Sequence, residues 1–194
     1  RASTSFWRAR SAFSTWSSRA ELDWLISDSG ISLLIATDRF ADNDYAAHIA
    51  ALAPQHPGLR DTVLLSGFDS LAGGPAAPRL DPGQGASAAD AAILIYTSGS
   101  SSRPKSVPLT HLGIIENGFN IGERQGYTPA DLVLMAPPLF WSYGSANGMA
   151  ATLTHGAALV LQGKFEPGEA IELIEQHGCT ALYTLPAITS AIVS

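Results

Sequence analysis

Short, mostly apolar runs alternate along this chain with segments of helical period, and that alternation constrains the fold more than any other feature. Ile31 to Ala36, Asp61 to Ser66, Ala92 to Thr97, Asp131 to Ala136, Ala157 to Gln162 and Thr180 to Thr184 all have strand length. A run that is apolar but for one small residue, as in Ile31 to Ala36 with its Ser32, suits a strand covered on both faces, the usual condition of a parallel sheet. Helical signals fill the intervals. Ser18-Arg19-Ala20-Glu21 is a capping box, in which hydroxyl and carboxylate each satisfy a backbone N–H that the first turn leaves unpaired. Leu22, Leu25 and Ile26 then fall on one face, and Gly30 supplies a left-handed stop. Further helices are expected over Asp42 to Ala53, Thr110 to about Arg124, about Ser145 to Thr154, Pro167 to His177 and near Ala187 to Val193. The pattern predicts an α/β fold: a mainly parallel sheet with helices on both faces, joined by right-handed crossovers.

Gly67 to Ala91 interrupts this order with Gly, Pro and Ala and follows neither period, so it reads as a linker. It divides the chain into a first α/β segment, 1–66, the linker, 67–91, and a second α/β segment, 92–194. Only 14% of residues are charged, where about 25% is usual for a soluble protein. That shortfall leaves unusually little charge with which to cover a surface. The net charge of −6 argues against nucleic acid or an anionic membrane as partner. No apolar run approaches the roughly 20 residues of a membrane span. Cys179 is the single cysteine, which excludes an intrachain disulfide and a multi-cysteine metal site. These properties fit a soluble, cytoplasmic protein. Arg1 to Ser18 has basic, hydroxyl and aromatic residues without acids, as organellar transit peptides do. The chain starts at Arg1 and not at Met, and this stretch reads instead as an interior segment.

Chemistry concentrates in Tyr96-Thr97-Ser98-Gly99-Ser100-Ser101-Ser102-Arg103-Pro104-Lys105-Ser106. The stretch follows an apolar strand directly. Small residues give close access to backbone N–H groups and hydroxyls, and Lys105 adds a cation, a combination that can surround phosphate oxygens. A solvated Ser-rich surface loop has the same composition. Gly99 to Ser106 also approaches the nucleoside-triphosphatase P-loop, G-x-x-x-x-G-K-S/T, with Pro104 at the second Gly. That alternative, a P-loop hydrolase or kinase, requires the Lys to open a helix, whereas Val107-Pro108-Leu109 reads as extended chain. No strand ending in a suitably placed Asp follows.

Taken with the motifs downstream, the segment resembles the adenylate-forming superfamily of acyl- and aryl-CoA ligases, luciferases and peptide-synthetase adenylation domains. Their phosphate loop, Y-T-S-G-S/T-T-G-x-P-K-G with T-H soon after, is matched by Tyr96 to Ser100, Pro104, Lys105 and Thr110-His111. A second family motif is similar to Pro138-Leu139-Phe140-Trp141-Ser142-Tyr143-Gly144, and Gly156 to Gln162 with Phe165-Glu166-Pro167 resembles a third. Glu21-Leu22 and Asp28-Ser29-Gly30, and Thr180 to Pro186, also look like family segments. The resemblance covers about Phe13 to the C-terminus.

It implies a two-step reaction. A small carboxylic acid attacks ATP, with Mg²⁺, to give acyl-AMP, and a thiol of CoA or of carrier-protein pantetheine then takes the acyl group. Carried over by position, Thr97, Ser98, Gly99, Ser100, Ser101 and Ser102 would hold phosphates, and Lys105 would help position the leaving pyrophosphate. Trp141, Tyr143, Gly144 and His111 would border the acid pocket. Trp141 lacks a His nitrogen and is expected as a wall, neither acid nor base. Ser102 and Ser106 stand where the family pattern has Gly, and a left-handed Ser would be disfavoured by about 1–2 kcal/mol. No metal ligands are assigned in this stretch. The family's acidic Mg²⁺ segment, ribose-binding Asp and C-terminal adenylation Lys have no counterpart here. The chain is therefore expected to be an incomplete N-terminal adenylation domain, inactive without the rest of the enzyme. A folded fragment that binds no nucleotide is the non-enzymatic alternative.

The remaining candidates have plain structural readings. His177 and Cys179 flank Gly178 but have no orienting third group, so a helix-end His beside a buried Cys is expected. His48, His56 and His155 lack metal-ligand spacing. Glu166, Glu169, Glu172 and Glu175 drift around a helix as a solvated face, and Lys164 reads as a loop charge.

Overall fold

The computed structural model describes residues 10–68, 86–97 and 104–194. They fall into two compact units, one within 13–86 and one made of 1–12 with 87–194.

In the first unit, α1 (Arg19–Ser29) begins at the expected capping box: Ser18 Oγ accepts from Glu21 N at 3.3 Å, and Glu21 Oε2 accepts from Ser18 N at 2.8 Å. Gly30 closes the helix at φ 59°, a conformation natural to glycine. Strand β2 (Leu33–Ala36) follows, then a hairpin of β3 (Arg39–Phe40) and β4 (Asn43–Asp44), then α2 (Tyr45–Leu52) and β5 (Asp61–Leu64). The helix expected from Asp42 starts later, because Asn43 and Asp44 pair with Phe40 and Arg39 before Asp44 caps Ala47 N. Strands β2 and β5 run parallel, with Leu33 opposite Asp61 and Ala36 opposite Leu64. Leu22, Ile26, Leu34, Tyr45, Ile49, Leu52 and Leu59 form the core. Only one face of β2 is buried, since Leu33 and Ile35 are 48% and 52% exposed. The expectation of a strand covered on both faces fails there.

The second unit has two three-stranded sheets. In one, β1 (Arg10–Ala12) lies parallel to β6 (Ala91–Thr97), which pairs antiparallel with β7 (Lys105–Thr110). Helix α3 (His111–Gln125) continues directly from β7. In the other sheet β8 (Leu132–Met135) is central, parallel to β9 (Ala158–Leu161) and to β10 (Ala181–Tyr183). Successive strand residues point to opposite faces. Val133 and Leu134 are 0% exposed and Met135 is 3% exposed, so β8 is covered on both. Helix α4 (Ala150–Thr154) precedes β9, α5 (Pro167–His177) lies between β9 and β10, and α6 (Pro186–Val193) ends the chain. Pro167 opens α5 and left-handed Gly178 closes it, as the sequence predicts.

The fold is thus mixed α/β with mainly parallel pairing, but the single sheet of the sequence reading is divided among several ladders in the described residues. The helix expected over Ser145 to Thr154 has a different first half: Tyr143–Met149 is a π-helix that passes into α4. Gly118 and Gly122 of α3 let it approach α4 closely. A Cβ on Gly118 would lie 2.6 Å from Ala150 Cβ, and one on Gly122 would strike the His155 ring.

Candidate functional site

The phosphate-loop candidate is held by the β6–β7 hairpin. Thr97 at the end of β6 is the register partner of Lys105 at the start of β7, and Thr97 Oγ1 donates to the Lys105 carbonyl at 3.5 Å. Of the sequence-predicted phosphate ligands, Thr97 and Lys105 are therefore cross-strand neighbours, both exposed. Ser98, Gly99, Ser100, Ser101 and Ser102 lie outside the described residues. Pairing at the hairpin mouth makes the chain leave and return within about 5 Å.

The direction of the chain after Lys105 decides between the two nucleotide readings. A triphosphatase P-loop turns from strand through loop into helix, with the Lys in the first helical turn. Here Lys105 opens a strand that runs antiparallel to the one before, and the helix begins only at His111. The P-loop alternative is overturned by that geometry. Ser106 is a paired, extended residue opposite Tyr96, so it carries no left-handed strain. Pro108 of β7 is the register partner of Leu94 of β6, and its missing N–H is tolerated because β7 is the outer strand of its sheet among the described residues.

At the far end of β7, Thr110 Oγ1 accepts from Gly113 N at 3.1 Å and caps α3. His111 N donates to the Asp90 carbonyl at 3.1 Å, and Leu112 N to the Ala88 carbonyl at 2.9 Å. These bonds fix the start of α3 against the segment that enters β6. A cavity of about 370 Å³ opens beside this junction, lined by the end of β7, the start of α3 and the start of the π-helix.

The second motif lies at the π-helix start. Trp141 is 48% exposed and meets Phe140 edge to face at 5.7 Å. Tyr143 is packed: its ring lies 4.8 Å from that of Tyr183, and its hydroxyl donates to the Thr184 carbonyl at 2.9 Å. Burial, with smaller contributions from Tyr143 and Tyr127, holds the Tyr183 hydroxyl well above its ordinary pKa. Gly144 is buried against the carbonyls of Pro137 and Pro138, where a Cβ would collide with backbone. Trp141, Tyr143 and Gly144 thus share one turn, and His111 lies beside Thr110. The cavity wall itself comes from their neighbours Thr110 and Ser142, and from Asn117, Ala146 and Asn147.

Asn117 and Asn147 escaped the sequence reading. Asn117 Nδ2 donates to the Ala146 carbonyl at 3.1 Å and to Asn147 Oδ1 at 2.9 Å, joining α3 to the π-helix. The available signal was weak: two amides in segments otherwise built of small and apolar residues. Asn147 lies in the π-helix and not in the regular helix expected over Ser145 to Thr154, and π turns recur at functional sites.

Elsewhere, Cys179 is half-buried, with Sγ 3.8 Å from the Leu173 carbonyl, and burial raises its thiol pKa. It is poorly suited to act as a nucleophile. Glu166 caps α5 by accepting from Glu169 N at 2.7 Å, and the helix's acidic residues are exposed. Among the described residues no group of three or more His, Cys, Asp or Glu could hold a metal ion. Nor is any described helix long and apolar enough to cross a membrane.

The family model and the curated relatives agree on the family, and the solved structures agree on the fold. The family model "AMP-binding enzyme" matches residues 12–194. The acyl-CoA ligase SID4 of Ajellomyces capsulatus is 31% identical over 90% of this chain and 33% of its own length. A feruloyl-CoA synthase of Amycolatopsis sp is 33% identical over 90% and 33% respectively. The chain therefore spans about a third of the length of these curated relatives. Among solved structures, apo MbtA of Mycobacterium smegmatis superposes with a TM-score of 0.79 at 23% identity, covering 95% of this chain and 35% of MbtA. ATP-bound MatB of Rhodopseudomonas palustris gives 0.75 at 24% identity, covering 94% and 35%. With the hairpin-held loop, the second motif and a family match over nearly the whole described structure, the chain belongs to the AMP-binding enzyme family.

Proposed function

We propose that this chain is part of the large domain of an ATP-dependent carboxylic acid:CoA ligase. The supporting observation is the placement of Thr97 opposite Lys105 at the mouth of a Ser- and Gly-rich segment, within a chain of the AMP-binding family. A carboxylate oxygen attacks the α-phosphorus of ATP, the bond to the β-phosphate bridging oxygen breaks, and acyl-AMP and pyrophosphate form. In the second half-reaction a thiolate sulfur attacks the acyl carbon and AMP leaves with the electron pair of the broken C–O bond. The acceptor is CoA, with carrier-protein pantetheine as the second possibility. An anionic nucleophile approaching a polyanion needs negative charge neutralised and the reactants held in line.

Thr97 and residues 98–102 supply hydroxyls and backbone N–H groups to the phosphates, and the Lys105 ammonium faces the departing pyrophosphate. The cavity beside Thr110 and Ser142 receives the acid, with Trp141 at its border and His111, Tyr143 and Gly144 shaping its surroundings. Mg²⁺ accompanies ATP in this reading. Among the described residues no group of three or more His, Cys, Asp or Glu is placed to hold it. The rest of the enzyme supplies the remaining nucleotide contacts, and the cytoplasm is the proposed location.

Acid-dependent exchange of pyrophosphate into ATP, measured on the full gene product, tests this reading. Lys105→Ala is expected to slow exchange about a hundredfold with the far-UV circular dichroism unchanged. Release of orthophosphate without exchange overturns the ligase reading, and an unchanged rate in the variant removes Lys105 from the mechanism.

A further inference from the structure

The segment that carries Trp141 is fastened at both ends to the end of one strand. Pro137 to Ser142 runs between Ala136, which follows β8, and Tyr143, which opens the π-helix. Ala136 N donates to the Tyr183 carbonyl at 3.1 Å, and the Tyr143 hydroxyl donates to the next carbonyl, that of Thr184, at 2.9 Å. A carbonyl can only accept, so the direction of both bonds is set. The first joins main chain to main chain. The second needs a phenol at position 143. Within the segment, Pro137 is fully enclosed and Leu139 packs against the cluster of Val133, Met135 and Tyr183. Trp141 N donates to the Pro138 carbonyl at 3.2 Å, and the Trp141 carbonyl accepts from Ser145 N at 3.0 Å and from Ser145 Oγ at 2.9 Å. The main chain of Trp141 is therefore part of the closed segment. Its indole is half-exposed and meets Phe140 edge to face, so its place follows the main chain that bears it.

We infer that Tyr143 is a positioning residue: its hydroxyl closes the segment on Thr184 and so fixes where Trp141 stands at the border of the cavity. With phenylalanine at 143 the ring keeps its place beside Tyr183, but the Thr184 carbonyl loses this donor, and of the two closing bonds that of Ala136 remains. A small displacement of a group beside a reacting substrate weakens binding or rate out of proportion to the bond that was lost. The inference rests on the ligase reading for what Trp141 does to the acid, and not for where the indole is held.

The experiment compares the full gene product with its Tyr143→Phe variant. Pyrophosphate exchange is followed with whichever acid, in a series from acetate to octanoate with benzoate added, the unsubstituted protein uses best. Tyr143→Phe is expected to raise KM for that acid about tenfold, while KM for ATP changes less than about twofold. In a Trp141→Ala background the same substitution should add less than about twofold, because residues that act through one another are not additive. Tyr45→Phe removes a hydroxyl that bonds main-chain carbonyls in the first unit; it controls for lost stability and should leave both KM values unchanged. A second readout needs no turnover. The fluorescence anisotropy of Trp141, taken as the difference between each protein and its Trp141→Phe counterpart, should fall in Tyr143→Phe and not in Tyr45→Phe. An acid KM that does not move, that rises equally with KM for ATP, or that rises as much in Tyr45→Phe overturns the inference. Additive effects of Tyr143 and Trp141, or an unchanged anisotropy, overturn it too. Orthophosphate release without exchange overturns the ligase reading, and the anisotropy comparison then still decides whether Tyr143 holds Trp141 in place.

Discussion

Strands β2 and β8 have the same kind of sequence, Leu33-Leu34-Ile35-Ala36 and Leu132-Val133-Leu134-Met135, and very different surroundings. Val133, Leu134 and Met135 are 0%, 0% and 3% exposed, whereas in β2 the sequence Leu33, Leu34, Ile35 is 48%, 8% and 52% exposed. Strand β8 has a partner on each side and side chains packed above and below; β2 has one partner, β5, and one covered face among the described residues. An unbroken apolar run therefore reports that both faces of a strand are compatible with burial. Whether both are buried depends on elements that the run does not encode. The open face of β2, and the exposed Leu112, Ile115 and Phe119 of α3, accord with a chain that spans about a third of its relatives' length.

The sharpest test of the contrast is Leu134→Ala. Leu134 is fully enclosed, and removing its side chain should lower unfolding free energy by about 3 kcal/mol through lost transfer energy and the cavity left behind. Denaturant unfolding measures it. A loss below about 1 kcal/mol would mean that the Leu134 face of β8 is not closely packed.

The same contrast explains what the sequence could disclose. Local signals were legible: the Ser18 capping box, the left-handed stops at Gly30 and Gly178, and Pro167 at the first turn of α5 act within a few residues and appear where the chemistry put them. The division into several ladders and the π-helix at Tyr143 to Met149 depend on packing that no local signal records, and Lys105 to Thr110, read only in part as extended chain, became a strand by pairing with β6. The site divides similarly. Thr97 and Lys105 were found because a contiguous motif holds them, while Asn117 and Asn147 are 30 residues apart and meet only through packing. Close helix approach through Gly118 and Gly122 was equally hidden, since a glycine in a helix reads locally as a weak position.

On the covered face of β2, Tyr45→Phe probes a buried polar group. The Tyr45 hydroxyl lies 2.8 Å from the Thr15 carbonyl and 3.0 Å from that of Ser17, and burial, with a lesser contribution from Glu21, raises its pKa. Loss of the hydroxyl strands those carbonyls and should reduce stability by about 1–2 kcal/mol. In the other unit, Gly118→Ala sets a helix preference of about 1 kcal/mol against overpacking of about 1–3 kcal/mol. The new methyl would meet Ala150 Cβ at 2.6 Å and its carbonyl carbon at 2.7 Å. Thermal unfolding should show a net loss of about 1 kcal/mol, and a gain would mean that α3 and α4 can separate freely.

Both units also contain a partly exposed Asp held by hydroxyl and N–H donors. Asp131, just before β8, is kept below the usual carboxylate range by Thr180 and then Thr128, and Asp38 by the side chain and then the N–H of Ser66. A carboxylate with a lower pKa folded than unfolded contributes stability above the unfolded value, about 4. That contribution disappears as pH falls through the folded value. Stability should therefore decline below about pH 4, and Asp131→Asn and Asp38→Asn should each make the decline shallower. An unchanged slope in either variant would remove that Asp from the acid response.

Ile35→Thr carries the smallest expected effect and bears most directly on the open face of β2. Threonine keeps the β-branch that suits an extended backbone, so the substitution changes polarity with little change in strand preference. Ile35 is 52% exposed, and a surface change of this kind should alter unfolding free energy by no more than about 0.5 kcal/mol in the 194-residue chain. The same substitution in the full gene product discriminates between two states of β2. If further chain covers the face, the variant should lose about 1–2 kcal/mol there, from buried methyl and methylene surface exchanged for an unpaired hydroxyl. Equal, negligible effects in both would show that Leu33 and Ile35 remain open, and that the contrast with β8 is intrinsic to the fold.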